Sequence, residues 1–462
     1  MDALIRDIKQ LNLTGLLVMA MLLTGLISLL FIMNARIETN DPLGYYAQTV
    51  ALDERFSVDL SEEAKQIDQF GWTHNLRRDE RTHKIYSQYP IGVSLMQWPF
   101  FYLGRTLSGA ENQNLWKGGT VWWVCAGSAF YGLTGLVFLF LLGAQVWDLR
   151  LSALATSVIF FGTALYYYLF FQPGMSHSYA FFSSSAFLFF WLRPLILNNR
   201  FDWSRAADRS LVRSFALGLL LGLSFIVRYL DGLLSLLLVL ECFHRLFSDR
   251  THFYQIFKSI FPGYLLSFAG FFLVVGLQFW IQYLKHGTLT ILSHYDGSFE
   301  QDYSFWKCLE VLFSNHHGLF YWHPLLILGL IGFAWSIFFG EKDWKVFGIW
   351  SLVLLLIQAV VVAAWGRFAF GANSFGHRFF ISLYPLFFVF IGYVISCLRN
   401  YFNPRQRTGL LLFAFFLLLL NASAMLQFAT GVIPPDAPVS WEEMLRNTWT
   451  ELPEELNRRL FP

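Results

Sequence analysis

The sequence predicts an all-α protein that crosses a membrane many times. About 11 transmembrane helices are expected, with interfacial helices in a long first outside loop. Three observations carry this. Charged residues make up 14% and hydrophobic residues 56% of the 462 positions, against roughly 25% charged in soluble domains. Many apolar runs approach or exceed about 18 residues without a charge, the length a bilayer-spanning helix needs. When the loops between these runs are assigned alternately to two faces, most Lys and Arg fall on one of them, as the positive-inside rule requires. The net charge of +2 gives no reason to expect a nucleic-acid partner.

The runs place crossings at 13–33, 120–146, 151–172, 176–196, 211–227, 230–247, 259–284, 319–339, 346–366, 377–398 and 408–429. The first is too long for the core of a signal peptide, and Met33-Asn34-Ala35 is a poor cleavage site, so it reads as a retained anchor. With the N-terminus inside, the cytoplasmic loops collect Arg6, Lys9, Arg150, the Arg-rich stretch 193–213, Arg245, Lys258, Lys342, Lys345 and Arg399 to Arg407. The short outside loops hold only Arg228, Lys285, Lys307, Arg367 and Arg378. Two units follow: a transmembrane domain over 1–429, which includes the first extracytoplasmic loop 34–119, and an extracytoplasmic tail over 430–462.

Two stretches test the scheme. Ile91 to Arg105 is apolar but only about 15 residues long and holds Pro99, which suits an interfacial segment better than a span. The pair 211–227 and 230–247 is interrupted by Arg228 and Asp231. One long helix with a buried ion pair would be roughly 50 Å, well past a bilayer of about 30 Å. A tight outside hairpin fits the charges better.

The candidate chemistry lies on the outside face. Glu38 to Tyr46 follows the first span, and Asp41-Pro42 is a good helix start, with Asp at the cap and Pro at the first helical position. Leu43, Tyr46, Ala47 and Val50 then share one face at helical spacing. Asp41 reads plainly as a cap and more sharply as a general base at the membrane edge. A carboxylate that accepts backbone N–H bonds is a weaker base, so a catalytic Asp41 works by position. Arg228 reads either as the partner of Asp231 or as a phosphate ligand, since a guanidinium matches phosphate oxygens. His377-Arg378 follows the Gly/Asn/Ser loop 371–376, where a helix start and an Arg would both favour an anion. His177 tops a short outside turn as a hydrogen-bonded pocket residue, and Asp296 belongs to the outside acids. His316, His317 and His323 are metal-ligand types, but adjacent residues cannot share a helix face and no further ligand is evident. No metal site is expected there. The aromatic cluster from Tyr295 to Trp322 reads as an interfacial belt or a ligand-contacting wall.

With these residues in place, the chain resembles the GT-C glycosyltransferases, the multispanning class that includes protein O-mannosyltransferases and bacterial aminoarabinose transferases. Members carry a catalytic Asp just after the first span, matched by Asp41 in ETNDPLGYY. A later segment of the form K-x-Y-S-K-Y-P-P-G is matched by Lys84-Ile85-Tyr86-Ser87-Gln88-Tyr89-Pro90-Ile91-Gly92, with Gln88 and Ile91 as departures. The stretch from Gly218 to Arg228 and the loop GANSFGHRF are similar to segments of many members. The resemblance implies a polyprenyl-phosphate sugar donor, a lipid, glycan or protein acceptor, and inversion at the sugar carbon. Asp41 would be the base, and Lys84, Arg228 and Arg378 would hold the donor phosphate. Tyr45, Tyr86, His177, Asp296 and His377 would line the substrate pocket. No cofactor is required, although some members use a divalent cation. Location in a bacterial inner membrane, with the site outside, is implied as well. The competing readings are a transporter or flippase of lipid-linked sugars and a non-catalytic subunit of envelope assembly.

Overall fold

The computed structural model describes residues 2–38, 40–108, 114–197, 200–248, 251–289, 304–371, 373–399 and 401–460. The protein is an all-α integral membrane protein. Two short antiparallel ribbons are the only strands among the described residues. Among the described residues, six helical stretches are long and apolar enough to cross a membrane unaided: Thr14–Ile32, Gly119–Val146, Phe253–His286, Lys342–Ala363, Arg378–Leu398 and Pro404–Thr430.

α1 (Asp2–Ile27) ends in a π-helical turn, Ser28–Ile32. The chain leaving it is tied down where the Asn34 amide donates to the Phe170 carbonyl at 2.8 Å. The first loop then folds as α2 (Asn40–Arg55), α3 (Ser61–Gln69), a ribbon of β1 (Leu76–Arg78) and β2 (Ile85–Ser87), and α4 (Gly92–Leu107). Leu43, Tyr46, Ala47 and Val50 of α2 are all buried, so the face read from their spacing is the packed one. α4 keeps Pro99 inside it, buries Val93, Met96 and Phe101, and exposes Trp98, Tyr102 and Leu107. That is the two-sided character of an interfacial helix.

α5 (Gly119–Val146) is followed by α6 (Leu149–Phe161), α7 (Leu165–Phe170) and α8 (His177–Leu192). The expected crossing 151–172 is therefore two helices, broken at Gly162 to Ala164. After the ribbon β3 (Ile196–Leu197) and β4 (Arg200–Phe201), α9 (Leu211–Val227) runs to Arg228. There the backbone is extended, with φ −151° and ψ 123°, and a 3-10 turn over Tyr229–Leu234 leads into α10 (Ser235–Ser248). Arg209, just before α9, pairs with Glu241 late in α10 at 2.8 Å, and Trp191 Nε1 donates to the same carboxylate at 2.6 Å. The end of α10 thus returns to the start of α9, and the stretch is a hairpin turning at Arg228.

α11 (Phe253–His286) lies along α9, with the Ser267 hydroxyl donating to the Ser214 carbonyl at 2.8 Å. α12 (Phe305–Phe313), α13 (Leu319–Trp322) and α14 (Ile327–Phe339) follow, with Pro324 opening a 3-10 turn between the last two. Then come α15 (Lys342–Ala363), α16 (Tyr384–Leu398) and α17 (Pro404–Thr430), which stops at Gly431 in the left-handed region. The tail forms α18 (Trp441–Trp449) and α19 (Glu451–Leu460). It folds back on α17, where Gln427 Nε2 donates to the Met444 carbonyl at 2.8 Å and Arg459 Nη2 to the Thr430 carbonyl at 2.6 Å.

Candidate active site

α2 places Asp41 in its first turn rather than ahead of it. The carboxylate is shared between two distant partners. One oxygen accepts the Tyr89 hydroxyl; the other lies 3.6 Å from Arg378 Nη1. Tyr89 is buried, and its ring packs on Tyr45 with centroids 4.6 Å apart. This approach requires Gly44, because a Cβ there would sit 2.7 Å from the Tyr89 ring. Burial, and then the negative charge of Asp41, push the Tyr89 phenol well above its ordinary value. Tyr89 therefore stays a proton donor toward Asp41 at any physiological pH.

The segment that presents Tyr89 is fixed from below by the end of α11. Lys285, fully buried, donates from Nζ to the Ser87 carbonyl at 2.9 Å and to Gln48 Oε1 at 3.1 Å. The last carbonyls of a helix have no partner within it. Here Lys84 Nζ takes the Leu284 carbonyl at 2.7 Å and the Thr82 hydroxyl takes that of Lys285 at 2.6 Å. His286 Nδ1 meets Asp79 at 2.6 Å. Burial pushes the Asp79 carboxyl up, but hydrogen bonds from the Thr82 backbone, His286 and the Arg81 backbone outweigh it and hold the group well below the usual range.

The opposite wall is cationic. Arg228 Nη1 lies 3.5 Å from both His177 Nδ1 and the Arg378 carbonyl. The Phe379 ring carries both guanidiniums, at 5.4 Å from Arg228 and 5.2 Å from Arg378, a cation–π arrangement. Among the described residues no ion pair joins Arg228 to Asp231; the extended backbone at Arg228 removes the helical spacing that would bring them together. Arg378 Nε is buried without a hydrogen-bond partner among the described residues. Arg77 reaches the same space from β1. The result is a cavity of about 160 Å³ lined by three arginines and one carboxylate, Asp41. A lone water needs only about 10–15 Å³, so the space suits a phosphate or sugar-sized group.

Comparison with solved structures returns membrane proteins of similar chain path. ArnT from Cupriavidus metallidurans in the apo state is 14% identical at a TM-score of 0.48, over 96% of this chain and 76% of that one. The archaeal oligosaccharyltransferase AglB from Archaeoglobus fulgidus, in complex with an inhibitory peptide and a dolichol-phosphate, is 13% identical at 0.49. That match covers 94% of this chain and 57% of AglB, so the chain spans little more than half its length. No family model and no curated protein matches the sequence. Likeness at this level concerns the path of the chain, and the chemistry has to be read from the cavity.

Of the residues singled out in the sequence, the cavity brings together Asp41, Tyr45, His177, Arg228 and Arg378. Lys84 is drawn to the end of α11 instead, where the Leu284 carbonyl holds it. Tyr86 pairs with Arg77 in the ribbon and packs edge-on to His286 at 4.5 Å, so it supports the loop and does not line the cavity. His377 is buried behind the wall, within 2.9 Å of the Ala369 carbonyl, and fixes the loop before Arg378. Asp296 lies outside the described residues. Tyr89, Asn75, Arg77 and Lys285 were not singled out. Asn75 Nδ2 donates to the Tyr89 oxygen at 3.4 Å, completing that side.

Proposed function

We propose that the protein is a membrane glycosyltransferase. It moves a sugar from a polyprenyl-phosphate donor to an acceptor hydroxyl or amine on the extracytoplasmic face of a bacterial inner membrane, with its N-terminus cytoplasmic. The observation that supports this most is the balance of charge in the cavity. Three arginines face one carboxylate, and two of them, Arg228 and Arg378, adjoin the ends of apolar helices, where a lipid-borne phosphate could reach them. Arg228 and Arg378 bind the phosphate through charge-assisted hydrogen bonds. Asp41 takes the proton from the acceptor as it attacks the sugar's anomeric carbon. The bond from that carbon to the phosphate oxygen breaks, its electron pair stays on the phosphate, and polyprenyl phosphate leaves with its charge held by the arginines. Attack opposite the leaving group inverts the centre. Tyr89 and Arg378 orient the Asp41 carboxylate, and the 3.6 Å spacing to Arg378 leaves an oxygen free to accept a proton.

The test is release of polyprenyl phosphate by purified protein given a polyprenyl-phosphate sugar and candidate acceptors. Asp41→Asn is expected to lower the rate by about 10²–10⁴-fold with donor binding preserved. Near-normal transfer by that variant would remove Asp41 as the base. Movement of donor across vesicles without turnover would identify a flippase instead.

A further inference from the structure

We propose that His316, His317 and Asp436 form a binding site for a divalent transition-metal ion of the zinc class, which pins the C-terminal tail to the turn before α13. The three ligand atoms lie within 4.8 Å of one another. Sequence spacing argues against such a site, because neighbouring residues on a helix point apart. Here the pair is not helical. His317 has φ +60°, a backbone state that few non-glycine residues adopt, and this turns the two imidazoles to one side with centroids 5.3 Å apart. The third ligand comes from more than a hundred residues later, which is why the sequence shows no set.

Two further features point to an ion. His317 is fully buried, and among the described residues neither ring nitrogen finds a hydrogen-bond partner. The Pro435 carbonyl lies beside the ring but outside hydrogen-bond geometry, where it can orient one nitrogen while the other faces the site. His316 Nε2 stands 3.4 Å from Asp436 Oδ1 and makes no hydrogen bond of acceptable geometry. That spacing is long for a charged hydrogen bond. It matches an edge of a tetrahedral site, since two ligands about 2.1 Å from one ion lie about 3.4 Å apart. Both rings are held by stacking, His316 on Phe370 at 4.7 Å and His317 on Trp322 at 5.0 Å. Asp436 is half exposed, so its carboxylate can rotate to close the remaining distance. Two imidazoles and a carboxylate suit zinc, and water takes the fourth position.

The ion would fix the tail where its other ties are few. Beside it, the Val439 amide donates to the Asn315 carbonyl at 3.3 Å and the Trp441 amide to the Tyr321 hydroxyl at 2.9 Å. The test uses full-length protein in detergent, stripped with chelator and titrated with zinc chloride against a chromophoric competitor. One zinc per chain is expected. Asp436→Asn, which alters a half-exposed side chain, and His316→Ala should each weaken it by about tenfold or more, whereas His74→Ala should not. Zinc should also slow proteolysis of the stretch 431–440 in the wild type and not in Asp436→Asn. Less than one zinc in the wild type, or binding as tight in both ligand variants, overturns the site. Neither readout depends on transfer activity, so this proposal can fail independently of the reading of the cavity.

Discussion

The Tyr89 hydroxyl and the Arg378 guanidinium divide the Asp41 carboxylate between them, and each can be removed alone. Tyr89→Phe keeps the ring stack with Tyr45 and deletes one hydrogen bond to a charged group, about 1.5–3 kcal/mol. Transfer should fall by roughly tenfold or more with donor affinity unchanged, measured as single-turnover release of polyprenyl phosphate. Arg378→Lys keeps the charge but loses the planar fork and the face of Phe379. Donor dissociation constants, measured by competition, should rise by about tenfold. Asp41, Arg228 and Arg378 were legible in the sequence because ionisable residues at span ends are rare and stand out. Arg77 and Lys285 were hidden for opposite reasons. Arg77 is one of many cations in a long loop, and Lys285 served only as a topological charge. Tyr86 and Tyr89 stand three residues apart in one motif, and only the path of the chain beyond β2 shows which of the two tyrosines meets Asp41.

Among the elements, the contact between α4 and α9 sets the height of Arg228. A Cβ on Gly92 would lie 2.5 Å from the Ile226 carbonyl carbon, and backbone cannot step aside as a side chain can. Gly92→Ala should lower the melting temperature, at a cost of about 1–3 kcal/mol, and weaken donor binding as well, because the strain falls two residues from Arg228. Thermal unfolding and donor titration on one preparation check both. The tie between Asp79 and the end of α11 gives a pH dependence. Its carboxyl is held below the ordinary range, so its stabilisation is fully present above the unfolded value near 4 and is lost only as pH falls toward the folded one. Melting temperatures of wild type and Asp79→Asn should differ at neutral pH and converge at strongly acid pH. The six long spans among the described residues were legible from apolar runs alone. The breaks at 162–164 and before Pro324 were not, since hydropathy averages over a window and a break of three residues disappears within it.

At the scale of the molecule, α8 joins two ends with different work. His177 at its start stands against Arg228, while Trp191 near its end donates to Glu241, itself paired with Arg209. The two points lie about 21 Å apart along a helix. Glu241→Gln leaves Arg209 as a buried charge without its partner, a loss of about 3–5 kcal/mol. It should lower thermal stability in detergent and leave donor affinity as it was. A matching loss of affinity would mean that the two ends are coupled. The hairpin at Arg228 was legible because a single helix there would overshoot the bilayer. The tail's return onto α17 was not, because nothing in a short amphipathic segment specifies the surface it will cover. The clamp from Lys285 to Ser87 also bears on biogenesis. A ribosome delivers Asp41 and Tyr89 early and Lys285 and Arg378 late, so on a nascent chain the cavity and its support stay half built until the sixth and ninth apolar segments beyond the first have been made. On the proposed function, a product truncated before Arg378 is expected to be inert however well its first loop folds.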